Sequence, residues 1–196
     1  MNSYMIITFV LTFVILMAIQ IIFVKWKTNV ILKLLQEQQF DKLEKELNNT
    51  ITKAFLPCFN VEYVRLNSYL LQNKADLVEK QLDVLMKIRK SKMQEANVLM
   101  MAFNYYVEKE DKEKCHYYLN EIAKLNNDQM YREAKIMSDI FIDKKANHID
   151  ELLNKIDTID DHQAKAVYYY MVAKQYENMN DRVNSLKYME MAQKNK

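Results

Sequence analysis

Cys115 and His116 stand side by side in "EKCHYYL" and are the nearest the chain comes to a pair of metal ligands. Consecutive positions on a helix point about 100° apart, so the two cannot close on one ion without ligands from elsewhere. His148 and His162 lie far along the chain, and no metal site is expected. Neither Cys58 nor Cys115 belongs to a Cys-x-x-Cys pair, which argues against a disulfide framework and for small core residues. Carboxylates are frequent in "NDQMYREAKIMSDIF" and "NKIDTIDDH", where they alternate with basic residues as on a solvated face. No nucleophile, base and oxyanion donor can be assembled from these residues, so the chain reads as a protein that is not an enzyme.

The tyrosines and methionines of "VYYYMVAKQYENMNDRVNSLKYMEMA", residues 167 to 192, could line an aromatic box for a ligand. Their spacing follows the helical period, however, and the reading adopted is core, with some tyrosines left over for a binding face. Glycine is absent from the whole chain. Phosphate-cradling loops and dinucleotide fingerprints need glycine where backbone approaches an anion, so no nucleotide site of the familiar kinds is expected; nor is a cofactor or small-molecule substrate. The 28 basic and 26 acidic residues leave a net charge of +2 with no clustered basic face, and nucleic acid is not an expected partner.

The elements that must carry these residues are helices. Half the chain is hydrophobic, Pro57 is the single proline, and helix formers are plentiful, so the fold class is all-α. Residues 5 to 24, "MIITFVLTFVILMAIQIIFV", carry no charge. At about 1.5 Å per residue they extend roughly 30 Å, the thickness of a bilayer hydrocarbon core. A cleaved signal peptide would carry basic residues before the apolar run and small residues after it. "MNSY" and "FVKWK" supply neither, so the run reads as an uncleaved transmembrane helix. Trp26 suits the interfacial belt, and Lys25, Lys27 and Lys33 place the rest of the chain in the cytoplasm by the positive-inside bias.

Beyond the anchor, apolar residues recur at three and four and polar clusters interrupt them at regular intervals. The spacing predicts helices over 60 to 73, 75 to 90, 92 to 108, 111 to 126, 128 to 143, 147 to 157, 161 to 178 and 181 to 194. Candidate N-caps are Asn60, Asp76, Asp111, Asp128, Asn147, Asp161 and Asp181. Registering each second helix on Leu77, Cys115, Ile149 and Leu186 gives a period of helix pairs that stack into a solenoid. The expected division is an anchor over residues 1 to 27, juxtamembrane helices and linker over 28 to 59, and repeats over 60 to 196.

In the last unit Tyr169, Val172, Ala173 and Tyr176 are followed by Ser185, Met189 and Ala192. That is large-x-x-large-small-x-x-aromatic and then small-x-x-x-large-x-x-small, a pattern that closely resembles the tetratricopeptide repeat. Ala102 and Cys115, with Tyr105 and Leu119, form a less exact copy, and Ser138 with Phe141 fits a third first helix whose partner carries Ile149 in place of the small residue. The resemblance implies a TPR-like helical-hairpin solenoid in which first helices line a concave groove. Carried over residue by residue, it implies a partner-binding groove of Phe103 and Tyr106, then Arg132, Lys135 and Asp139, then Tyr170 and Lys174. The expected function is a membrane-anchored scaffold or adaptor that takes a protein or peptide partner. The alternative is a structural subunit whose repeats are permanently buried in a larger membrane complex or homo-oligomer.

Overall fold

A computed structural model describes residues 3–195 of the chain, with side chains from residue 12 onward. Every regular element among the described residues is helical. The first, α1 (Ser3–Gln36), runs without interruption through the apolar stretch and on past it. Residues 12 to 22 of α1 are all exposed, with Ile21 and Ile22 at 64% and 68%. The side chains of residues 5 to 11 in the expected span lie outside the described ones. By length and composition α1 is the one helix among the described residues able to cross a membrane.

The contacts divide the chain into two compact units, residues 1–90 and 91–196. The first unit ends at Lys90 and the second begins at Ser91. In the first unit α1 is followed by α2 (Phe40–Asn48), the short α3 (Thr50–Phe55), α4 (Cys58–Leu71) and α5 (Ala75–Lys87). Leu43 and Leu47, four apart on α2, are fully buried against Ile31 of α1, together with Leu56 and Val61. Burying such a leucine contributes about 2 kcal/mol, which explains why α2 folds back along α1 instead of extending it. Glu46 accepts hydrogen bonds from Lys27 Nζ at 2.5 Å and from Thr52 Oγ1 at 2.7 Å, tying α1, α2 and α3 together.

The second unit holds α6 (Lys92–Glu108), α7 (Lys112–Ala123), α8 (Asp128–Met137) continuing as a π turn over Ser138–Ile142, α9 (Ile149–Asp157), α10 (His162–Asn178) and α11 (Arg182–Lys194). Antiparallel neighbours α6–α7 and α10–α11 are close hairpins, as is α4–α5 in the first unit. α8 and its π turn lie against α6 and α7, while α9 lies against α10.

The three hairpin turns share one geometry. Asn73, Glu110 and Asn180 sit in the left-handed region with φ of 52°, 53° and 61°. The next residue's N–H then donates back five positions, Lys74 to Tyr69 O, Asp111 to Tyr106 O and Asp181 to Tyr176 O. This is a Schellman closure, which ordinarily uses glycine at the left-handed position. A chain without glycine fills it with asparagine twice and with glutamate once.

The register of the second helices holds for Cys115, which is fully buried, and not for Leu186, which is 55% exposed. The seam of α10–α11 is formed instead by Ala173 and Ala192, with Tyr176 and Tyr188 stacked at 5.4 Å and 3°. Caps at Asp111, Asp161 and Asp181 are present. The others differ from expectation: α8 is capped by Asn127 rather than Asp128, and α9 begins after His148 rather than Asn147. α4 starts behind Pro57 and α5 behind Lys74, without side-chain caps.

Candidate functional site

The seven residues assigned to a groove do not come together as one surface. Phe103 is fully buried and Tyr106 is 3% exposed. Both therefore belong to the core, a correction to the sequence reading. The cause is that α6 carries α7 on one side and α8 with its π turn on another, so little of its surface remains free. Tyr106 is further fixed by stacking on Tyr118 at 5.4 Å and by Lys114, whose Nζ lies 4.6 Å over its ring and donates to its hydroxyl.

Asp139, also expected to face a ligand, is buried and occupied. Its carboxylate accepts hydrogen bonds from Lys135 and from Lys145 at 2.7 Å, and His148 Nε2 lies 3.1 Å away. Burial alone would push the Asp139 carboxyl up, but these donors outweigh it and hold the pKa at about 2. Asp139 lies within the π turn. The cluster continues outward: His148 Nδ1 lies 3.4 Å from Glu151, Glu151 pairs with Arg132 at 2.8 Å, and Lys112 and His116 both approach Asp143. Lys135, Asp139 and Arg132 thus act as structural ion pairs. Among the described residues no three His, Cys, Asp or Glu side chains converge to hold a metal ion. The Cys115 thiol is pushed up to about 11, by burial first and Asp111 second, which leaves it unreactive at neutral pH.

Of the seven, Tyr170 and Lys174 lie on α10. Lys174 pairs with Glu177 at 2.7 Å on the helix surface. Tyr170 is 41% exposed, rests on Phe141 at 5.9 Å, and lines the most apolar groove described in the unit. This groove encloses about 530 Å³ between α10 and α11, and its walls are Gln163, Ala166, Val167, Tyr170, Met189, Ala192 and Gln193. None of these carries a charge.

A comparison within the chain gives the groove its meaning. Tyr170 stands three residues before Ala173, while Met189 and Ala192 stand four and seven after Ser185. The same steps from Ala102 and Cys115 lead to Leu99, Leu119 and Ile122, which are 6%, 7% and 0% exposed. In that hairpin α8 lies against both helices. In α10–α11 Tyr170 is 41% exposed and borders the groove with half-buried Met189, while Ala192 at 3% is as buried as its counterpart.

Of the residues lining this groove, the sequence reading had named Tyr170 alone as facing a partner. The signal available was the run of uncharged side chains at 163, 166, 167 and 170, a helical face that resembles a buried stripe until the far side is seen to be buried as well. No protein-family model, curated protein or solved structure matches the chain.

Proposed function

We propose that the chain is a membrane-anchored, TPR-like helical scaffold that binds a protein or peptide partner through the α10–α11 groove. The observation carrying this reading is that an uncharged, apolar groove stands open where the equivalent face of α6–α7 has a helix against it. A partner suited to it presents one face of an amphipathic helix with small and branched apolar side chains, as α8 presents the buried Ala134 and Ile136. The exposed apolar surface of α1 supports a single-pass anchor, and tethering raises the partner's effective concentration at the membrane. Lys25, Lys27 and Lys33 favour a cytoplasmic location for the rest of the chain. The three Schellman-closed hairpins and the Ala173 seam support the repeat reading.

Proximity labelling from the C-terminus tests the groove. The double variant Val167→Glu, Tyr170→Lys alters two exposed positions, so the hairpin stays folded. The main labelled neighbours of the native protein are expected to disappear in the variant, and an unchanged set of neighbours contradicts the proposal.

A second reading, a permanently buried structural subunit, draws on Val183, Leu186 and Met179, which are 79%, 55% and 55% exposed. Large apolar side chains so placed suit a lasting interface. A detergent-extracted particle that keeps its mass on dilution supports this second reading, whereas a lone chain supports the adaptor.

A further inference from the structure

The short helix α3 carries an apolar face that the groove and the span leave unexplained. Ile51 and Phe55, four apart and so on one side of the helix, are 52% and 44% exposed. Around them the helix is firmly held. Asn49 Oδ1 accepts the Ile51 N–H at 2.8 Å, Thr52 is fully buried on Glu46, and Leu56 enters the core beneath α1 and α2. The exposure of Ile51 and Phe55 is therefore a fixed feature of the fold.

Its position relative to α1 follows from the helix lengths. Residues 25 to 36 of α1 rise about 18 Å beyond the apolar run, and the nine residues of α2 return about 14 Å antiparallel to them. The chain is thereby brought back to within about one helical turn of the level at which it left the run. The aromatic contacts agree: the Phe55 ring centroid lies 5.0 Å from that of Phe23, and Phe23 lies 5.8 Å from Trp26, itself 55% exposed. Phe23 belongs to the uncharged run of residues 5 to 24. If that run fills the hydrocarbon of a bilayer, Phe55 stands at the edge of the same bilayer.

We infer that Ile51 and Phe55 of α3 insert into the interfacial layer of the membrane that α1 crosses, forming with Trp26 a second point of lipid contact that fixes how the first unit stands on the surface. The inference rests on the membrane-anchor reading and adds a lipid-binding face to it. The occupant is lipid rather than protein because the face is continuous with the span through Phe23. Aromatic side chains at this depth are favoured by the boundary between apolar core and headgroups. Lys25 and Lys53, both exposed, flank the face with charge suited to headgroup phosphates.

Trp26 is the only tryptophan, so depth can be read by fluorescence. In full-length protein carrying Trp26→Phe, a single tryptophan is introduced as Phe55→Trp, as Ile51→Trp, or as Phe13→Trp within the span. All three positions are exposed, so the core is untouched. The proteins are reconstituted in phosphatidylcholine vesicles, with or without bromine on the upper acyl chain, and titrated with aqueous iodide. Phe55→Trp and Ile51→Trp are expected to lose most of their emission to brominated lipid and little to iodide. Quenching of Phe13→Trp alone, with the α3 tryptophans open to iodide, overturns the inference while leaving the anchor standing. A blue-shifted α3 tryptophan quenched by neither agent also overturns it, because protein then covers the face. Failure of brominated lipid to quench any of the three removes the anchor and the inference with it.

Discussion

Asp139 is the residue on which the second unit's polar interior turns. Its pKa, held at about 2 against an ordinary 3.8, means the folded state prefers the ionised carboxylate more strongly than the unfolded chain does. The stabilisation is fully present above pH 4 and is lost as pH falls from about 4 to about 2, and it amounts to about 2 kcal/mol. Asp139→Asn is expected to lower the stability of the detergent-solubilised protein at pH 7 by about 2 to 3 kcal/mol, because Lys135 and Lys145 lose their shared acceptor. Thermal unfolding of both proteins checks this: their difference should narrow as pH falls from 4 toward 2, and a constant difference contradicts the sign.

Glu110 offers a second test at the same scale. It holds a left-handed conformation that disfavours any side chain and above all a branched one. Glu110→Val should destabilise by about 1 to 2 kcal/mol, while Glu110→Gly should be neutral or mildly stabilising, since relief of strain is offset by the greater freedom of unfolded glycine. Denaturation midpoints of the two variants distinguish them. Individual roles such as these were the least legible in the sequence. Phe103 and Asp139 carry residue types that suit a groove, but their burial depends on α8 and the π turn, which lie more than twenty residues away from Phe103 in the chain.

Elements were far more legible. The helices over 92 to 108 and 161 to 178 were expected almost to the residue, because apolar recurrence at three and four between polar breaks is a local property. The departures have local causes too. The π turn at Ser138–Ile142 interrupts what the apolar spacing presented as one helix over 128 to 143, and the wider turn leaves no mark in that spacing. At Ser91 the signal was present and unread: "SKMQ" is a capping box, in which the Ser91 side chain accepts the Gln94 N–H at 3.3 Å and the Gln94 side chain accepts the Ser91 N–H at 2.9 Å. Ser91→Ala is expected to weaken α6 by about 1 kcal/mol, seen as faster hydrogen exchange in its first turn with exchange in α10 unchanged. Uniform acceleration across both helices would show that the cap acts beyond its own element.

At the scale of the whole molecule, the account joins a helix whose outer surface is oily over residues 12 to 22 to hairpins whose oily surfaces are mostly hidden. The long apolar helix was legible because an uncharged run of that length is a local signal, and the hairpins because polar breaks recur between helical stretches. The open groove between α10 and α11 was not, since an apolar stripe has the same spelling whether covered or bare. The proposed function sets this groove at a membrane through α1. The direct measurement is retention after washing membranes that contain the full-length protein at alkaline pH, alongside a Leu16→Lys, Ile19→Lys variant. Both substituted positions are exposed, so their only expected role is toward lipid. The native protein should remain in the membrane pellet and the variant should be released. Native protein found in the supernatant would contradict the account.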